Sequence, residues 1–240
     1  MLRGPVIVMV TVAVILSLMF PRIASAETLR LAVAANFKAT LTNLVNHYPA
    51  EKSEQIEIIP GSTGALTAQI IQGAPFDILF AADRVRPEEL ERRALVRHRQ
   101  TYAIGKLAFW VRGKAADLER YKGSIAIANP RHAPYGLAAT EVLDRLNSSA
   151  RVIYGNNVAQ AFTFVQTGNA PAGLVSLSQV IEQKIPTETY WRVPGRYHSP
   201  IEQQLVIMKD APGSATRFVS WMNSGDAQRL ISDAGYELER

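Results

Sequence analysis

The chain has 240 residues, a formal net charge of +5 and no cysteine. The absence of thiols excludes disulfides, thiolate metal sites, a cysteine nucleophile and a lipid-modified N-terminal cysteine. The basic residues form no cluster of the kind that binds a nucleic-acid backbone, so we expect no nucleic-acid partner.

The first 26 residues have the pattern of a cleavable secretory signal. Arg3 precedes an apolar run over residues 6–20, and the small residues Ala24, Ser25 and Ala26 follow it. The run has 15 residues, fewer than the about 20 that a membrane-spanning helix needs. We therefore expect cleavage after Ala26 and a free, monomeric protein in the periplasm.

From residue 29 onward, apolar strand-like runs alternate with segments of helical periodicity. Strands are predicted at residues 29–34, 56–59 and 77–81. A helix is predicted after each of them, the first with Asn36 as its N-cap and the third beginning at Pro87. Asp83 is interpreted as a cap of that third helix.

A second set with the same alternation lies in the middle of the chain. Its strands are predicted at residues 125–128, 151–154, 172–176 and 190–193. Two long β-rich segments, residues 101–111 and 201–208, bracket this set. The pattern predicts an α/β fold of two lobes, each with a mainly parallel sheet flanked by helices. Lobe one is assigned to residues 27–106 and 201–240, and lobe two to residues 107–200, with a hinge where the chain crosses.

Four predicted strand–helix junctions are candidates for a binding site, because ligands of open α/β sheets lie at the carboxyl ends of the strands. Two belong to lobe one and two to lobe two. They contain Asn36, Ser62-Thr63, Tyr135-Gly136 and Asn157-Val158. A helix start offers unpaired N–H groups and a partial positive charge, so the four junctions together predict an oxyanion site in the cleft.

Each junction also has a simpler interpretation when it is taken alone. Asn36 fits an ordinary N-cap, Ser62-Thr63 an ordinary turn, and Tyr135 a core aromatic residue; Val158 can offer only its backbone N–H. A site made of donors favours fully deprotonated tetrahedral anions. Because the Asn36 amide can donate or accept, phosphate is disfavoured rather than excluded.

Several short motifs, taken in their order and spacing, are similar to those of one known family. They are VAANF (33–37), GSTG (61–64), AQI (68–70), GAPFD (73–77), AD (82–83), YAIGKL (102–107) and APYGLA (133–138). Together they resemble the periplasmic molybdate-binding proteins of ABC importers, and the resemblance runs from about residue 29 to the C-terminus.

The resemblance implies a Venus-flytrap fold that binds molybdate or tungstate through hydrogen bonds to the oxyanion, without metal–ligand bonds from the protein. It also implies a membrane permease and its ATPase as partners. The implied contacts are Asn36, the hydroxyl and amide of Thr63, and the amides of Tyr135 and Val158, with Ser62 and Ala35 as further candidates.

Two positions depart from the pattern of the family. Ala35 stands where some relatives have a hydroxyl residue. Ser176 stands where other members have a tyrosine that contacts the ligand. The resemblance therefore implies a site built around Asn36.

Two alternatives remain open at this point. One is a binder of another oxyanion, such as sulfate or phosphate, on the same fold. The other is a periplasmic enzyme, but the sequence has no H-E-x-x-H or G-x-S-x-G motif and no evident pairing of a nucleophile with a base. We therefore expect no catalytic residues, no cofactor and no direct metal ligand.

Overall fold

The computed structural model describes residues 27–50 and 54–239. The predicted signal peptide, residues 1–26, lies outside the described part. Within that part, no helix is long and apolar enough to cross a membrane. The strands are β1 (Glu27–Ala34), β2 (Glu54–Gly61), β3 (Ile78–Phe80), β4 (Val96–Gly105), β5 (Leu107–Val111), β6 (Ser124–Ala128), β7 (Arg151–Gly155), β8 (Ala172–Ser176), β9 (Tyr190–Arg192) and β10 (Ile201–Met208).

Helices follow most of these strands. They are α1 (Lys38–His47), α2 (Thr63–Ile71), α3 (Val85–Arg92), α4 (Pro134–Arg145), α5 (Val158–Gln166), α6 (Leu177–Glu182), α7 (Gly213–Met222) and α8 (Gly225–Asp233). Short 3-10 turns lie at Thr187–Thr189 and Gly195–Tyr197.

The first sheet has the strand order β2-β1-β3-β10-β4. β2 and β3 lie parallel to β1, whereas β10 is antiparallel to both of its neighbours. Four strands thus run in one direction and β10 runs against them. Phe37, Phe80, Leu205 and Phe218 are part of the apolar core that this sheet shares with its helices.

The second sheet has the order β7-β6-β8-β5-β9 and repeats the same plan. β6 is parallel to β7 and β8, and β5 is antiparallel to β8 and β9. Phe109, Ile125, Phe162 and Leu174 lie in its core. The predicted two-lobed α/β fold is therefore confirmed, with mixed sheets in which one strand of five is reversed.

The chain passes between the sheets at two places that are close in space. β4 ends in the first sheet at Gly105, and β5 begins in the second at Leu107. The chain returns to the first sheet at Ile201. We propose Lys106 and Ile201 as the limits of the lobes, since each marks a change of sheet.

Two details of the helix starts differ from prediction. The first helix begins at Lys38 with Phe37 at its N-cap position and no side-chain cap, so the prediction that Asn36 caps it is wrong. The Asn36 side chain bonds to distant residues instead. The third helix begins at Val85 rather than at Pro87, and Asp83 Oδ1 accepts a hydrogen bond from Arg86 N at 2.9 Å in its first turn.

Candidate functional site

The four predicted junctions meet at one small cavity between the sheets. Among the described residues, none of those that line it has a charged side chain. The residues that line it are Ala34, Ala35, Asn36, Gly61, Ser62, Thr63, Ala82, Ala133, Pro134, Tyr135, Asn157 and Val158.

The cavity lies at the carboxyl ends of paired strands in each sheet. The lobe-one junctions follow β1 and β2, which are parallel neighbours. The lobe-two junctions follow β6 and β7, which are also parallel neighbours. Parallel pairing brings both helix starts of a lobe to the same edge of its sheet, and the two edges face each other.

Backbone N–H groups are the main polar feature of this cavity. The N–H groups of Asn36, Thr63, Tyr135 and Val158 have no hydrogen-bond partner among the described residues, and those of the preceding residues Ser62 and Asn157 have none either. Thr63 and Val158 are the first residues of α2 and α5, where the helix itself supplies no acceptor. A buried N–H without a partner is costly, so the cavity is built to receive an acceptor.

Local sequence explains why these N–H groups stay available. Ser62 and Asn157 cap α2 and α5 by accepting from Ala65 N and Gln160 N, one turn further on. Those caps satisfy later amides and leave the first one of each helix free. In α4, Pro134 occupies the first position and has no N–H, so Tyr135 provides the first donor.

Thr63 adds a hydroxyl to its backbone donor. Its Oγ1 accepts a hydrogen bond from Ala82 N at 3.0 Å, and the side chain is buried. A hydroxyl that accepts one bond still has its own proton to donate. Thr63 is thus placed to give two hydrogen bonds to a ligand.

The two further candidates differ from each other. Ser62 lines the cavity, and its Oγ accepts from Ala65 N at 3.4 Å as the cap of α2, so its hydroxyl also keeps a proton to donate. Ala35 also lines the cavity, but its N–H donates to Gly61 O at 2.9 Å. Ala35 can therefore make van der Waals contact with a ligand but has no N–H left to donate to it.

The side chain of Asn36 bonds to the protein instead of standing free in the cavity. Its Nδ2 donates to Gln203 Oε1 at 3.0 Å and to Tyr236 Oη at 3.1 Å, with Tyr135 Oη at 3.5 Å. Both amide protons therefore have partners within the protein. The donor that Asn36 keeps for a ligand is its backbone N–H.

A buried polar network extends from Asn36 and joins the lobes. Tyr236 Oη donates to the Asn36 carbonyl at 2.8 Å, and Ser178 Oγ of lobe two donates to the same carbonyl at 3.1 Å. Ser176 does not line the cavity; its Oγ donates to Gln179 Oε1 at 2.8 Å and lies 3.1 Å from Ser178 Oγ.

Four residues of the network around Asn36 were not predicted from the sequence: Tyr102, Ser178, Gln203 and Tyr236. One signal was available: the polar pair Gln203-Gln204 lies inside the predicted strand at residues 201–208, directly before its apolar end. A polar pair in a buried strand indicates a buried hydrogen-bond network. Tyr236 had no such signal.

The tyrosines of the network remain protonated. Burial is the largest cause that raises the pKa of Tyr102 and of Tyr135 well above the usual value, and it raises the pKa of Tyr236 as well. These three phenols are therefore uncharged near pH 7. No phenolate opposes an anion there.

The lobes touch directly beside the cavity. Gly64 N of α2 donates to His132 O of lobe two at 2.9 Å, and Arg86 Nη2 donates to Arg131 O at 3.3 Å. A Cβ at position 64 would lie 3.0 Å from His132 O. The structure thus represents a closed arrangement, and glycine at position 64 permits the close approach.

Two α/β lobes linked by two crossings, with a small donor-lined cavity between them, define a two-lobed binding protein. Comparison with known proteins identifies the family to which this binding protein belongs. Residues 29–237 match the family model described as bacterial extracellular solute-binding protein, and the chain belongs to this family. It is a family of solute-binding proteins rather than of enzymes.

Named relatives are similar over nearly the whole chain. The molybdate-binding protein ModA of Azotobacter vinelandii is 36% identical over 233 residues, with 90% of this chain and 92% of that protein covered. ModA of Rhodobacter capsulatus is 33% identical over 241 residues, covering 95% and 94%. The solved structure of the Azotobacter vinelandii periplasmic molybdate-binding protein superposes with a TM-score of 0.80 at 36% identity, covering 88% of this chain and 100% of that one.

Proposed function

We propose that this chain captures molybdate or tungstate in the periplasm and delivers it to the permease of an ABC importer. The observation that carries the proposal is that unpartnered N–H groups from both lobes surround one small cavity. Asn36 and Thr63 supply two of them from lobe one, and Tyr135 and Val158 supply two from lobe two. A tetrahedral dianion has four oxygens to accept these bonds.

The surroundings of the cavity favour an anion without a proton. In the part of the chain that the structure describes, no carboxylate and no cationic side chain lines it. The Thr63 hydroxyl and the amides are donors, so a hydrogen phosphate would bring a proton to a place that lacks a good acceptor. Molybdate and tungstate are fully deprotonated near neutral pH, and the names of the relatives above agree with this choice.

The anion bonds to both lobes at once, so it stabilises the closed form over an open one. The closed surface is then the form that docks on the permease, whose ATPase drives release. We propose no catalytic role for any residue of the cavity, because no nucleophile there has a base within reach. The protein acts as a monomer in this scheme.

A competition panel tests the assignment. Purified protein without residues 1–26 is titrated calorimetrically with molybdate, tungstate, sulfate and phosphate at pH 8, and its thermal midpoint is measured with each anion. Molybdate and tungstate should each stabilise the fold by about 4 kcal/mol when present at a thousand times the dissociation constant. Equal affinity for sulfate would refute the ligand assignment and leave a general oxyanion binder.

A further inference from the structure

We propose that Gln203 is a positioning residue that fixes the distance between the anion-binding amides of the two lobes. This inference rests on the proposed function, because it concerns the same cavity. Gln203 lies on β10 of lobe one, is fully buried and does not line the cavity itself. It acts through Asn36 and Tyr135, which do.

Every polar atom of the Gln203 amide has a partner in this network. Its Oε1 accepts from Asn36 Nδ2 at 3.0 Å and from Tyr102 Oη at 2.9 Å. Its Nε2 donates to Tyr135 Oη at 3.2 Å. One planar side chain therefore joins Asn36 of lobe one to Tyr135 of lobe two, and each of these residues presents a backbone N–H to the cavity.

The link that Gln203 forms between Asn36 and Tyr135, here called the bridge, requires an amide side chain. The side chain must accept on one side and donate on the other, and glutamine does both with a fixed geometry and without charge. A carboxylate would place a negative charge beside the bound anion. An apolar side chain would take from the buried Asn36 Nδ2 its acceptor at 3.0 Å, which is costly, and would leave Tyr102 Oη only the longer bond to Ala81 O at 3.3 Å.

Gly105, at the first crossing between the sheets, leaves space for the contact between Gln203 and Tyr135. A Cβ at Gly105 would lie 2.3 Å from Tyr135 Oη and 2.5 Å from Gln203 Nε2. Only glycine at position 105 leaves room for these two groups to meet. The contact between the lobes thus depends on the residue at which the chain leaves the first sheet.

A fixed separation between the amides of the two lobes should make binding depend on the size of the anion. Amides held at a fixed separation bond to both sides of an anion of one size and less well to smaller ones, because a donor misplaced by a few tenths of an ångström loses hydrogen-bond strength. We infer that Gln203 contributes to the discrimination between the larger molybdate and the smaller sulfate. Its loss should lower selectivity as well as affinity.

Three variants test the role. Gln203→Met keeps the length of the side chain and removes its hydrogen bonds, and Gln203→Glu keeps the shape and adds a charge at high pH. Gln204→Met is the matched control: Gln204 is buried on the same strand but bonds to Arg99 and Thr101, outside the cavity. Affinities for molybdate and sulfate are measured by calorimetry, and unfolding by urea.

Gln203→Met should bind molybdate about tenfold more weakly or worse, the scale for one lost buried partner, and its ratio of molybdate to sulfate affinity should shrink. Gln204→Met should lose stability but keep both affinities. Burial raises the pKa of the carboxyl that Gln203→Glu introduces, so this variant should bind weakly at pH 9 and recover towards pH 6. Unchanged affinity and selectivity in Gln203→Met would overturn the proposal.

Amide hydrogen exchange without any ligand separates this inference from the proposed function. If Gln203 positions the two amides, exchange in residues 34–37 and 133–137 should be faster in Gln203→Met than in the wild type or Gln204→Met. If the wild type binds no oxyanion in the panel, the proposed function fails. The exchange rates would still show whether Gln203 holds the Asn36 and Tyr135 segments in place. Equal exchange in all three proteins would refute the bridge whatever the ligand.

Discussion

The two lobes contribute to the cavity in different ways. Lobe one offers the Thr63 hydroxyl together with backbone N–H groups, and Ala82 N holds that hydroxyl in place. Lobe two offers the N–H groups of Tyr135 and Val158. Side-chain substitutions should therefore lower affinity mainly in lobe one, since a backbone donor survives any replacement except proline.

The largest effect is expected from removal of the lobe-one hydroxyl. Thr63→Ala should weaken molybdate binding by about 3 kcal/mol, the upper range for a hydrogen bond to a charged group. It also leaves Ala82 N without its partner. Thr63→Ser keeps the hydroxyl and serves as the control. Equal molybdate affinities of Thr63→Ala and Thr63→Ser in calorimetry would show that the hydroxyl does not contact the ligand.

A smaller loss should follow when a lobe-two donor is deleted from the backbone. Val158→Pro removes the N–H at the first position of α5, where proline is well tolerated. Asn157 before it already has the extended conformation that proline requires (ψ 176°). Affinity should fall by about 2 kcal/mol.

Val158→Ala is the matched control for that deletion, because it shortens the side chain and keeps the N–H. It should bind molybdate as the wild type does. Loss of affinity in Val158→Ala with an intact fold would contradict the claim that lobe two binds through its backbone.

The contact between the lobes can be weakened without touching a donor to the ligand. Gly64→Ala places a Cβ 3.0 Å from His132 O and 3.1 Å from its Cα, so the lobes must shift apart. Affinity should fall by about 1 kcal/mol, the lower range for overpacking. Small-angle scattering should show less compaction with molybdate. Gly225→Ala, in the first turn of α8 with nothing within 4 Å, should leave both measurements unchanged.

The smallest effect is expected from pH. Burial raises the pKa of Tyr102 and Tyr135, so neither ionises below its usual value near 10. Molybdate affinity should stay constant from pH 7 to about pH 9. The folded state holds these protons more tightly than the unfolded state, so their contribution to stability is complete below about pH 10 and is lost as pH rises further. Affinity that falls between pH 7 and 9 would place a titrating group at the site.

Local patterns in the sequence predict much of this structure. The strand runs, the helix periodicity and the capping residues Ser62 and Asn157 all act over a few residues, so the four junctions could be found. The mistaken cap at Asn36 has a different cause. Its partners Gln203 and Tyr236 are 167 and 200 residues away, and tertiary hydrogen bonds override the local preference.

Chemical shifts of four backbone amides can show directly whether the anion bonds to both lobes. In spectra of uniformly 15N-labelled protein, saturating molybdate should move the amide protons of Asn36, Thr63, Tyr135 and Val158 downfield, because each gains an anionic acceptor. These shifts should appear in both lobes at the same stoichiometry. Saturable binding that leaves the amide protons of Tyr135 and Val158 unshifted would show that the anion does not bridge the lobes.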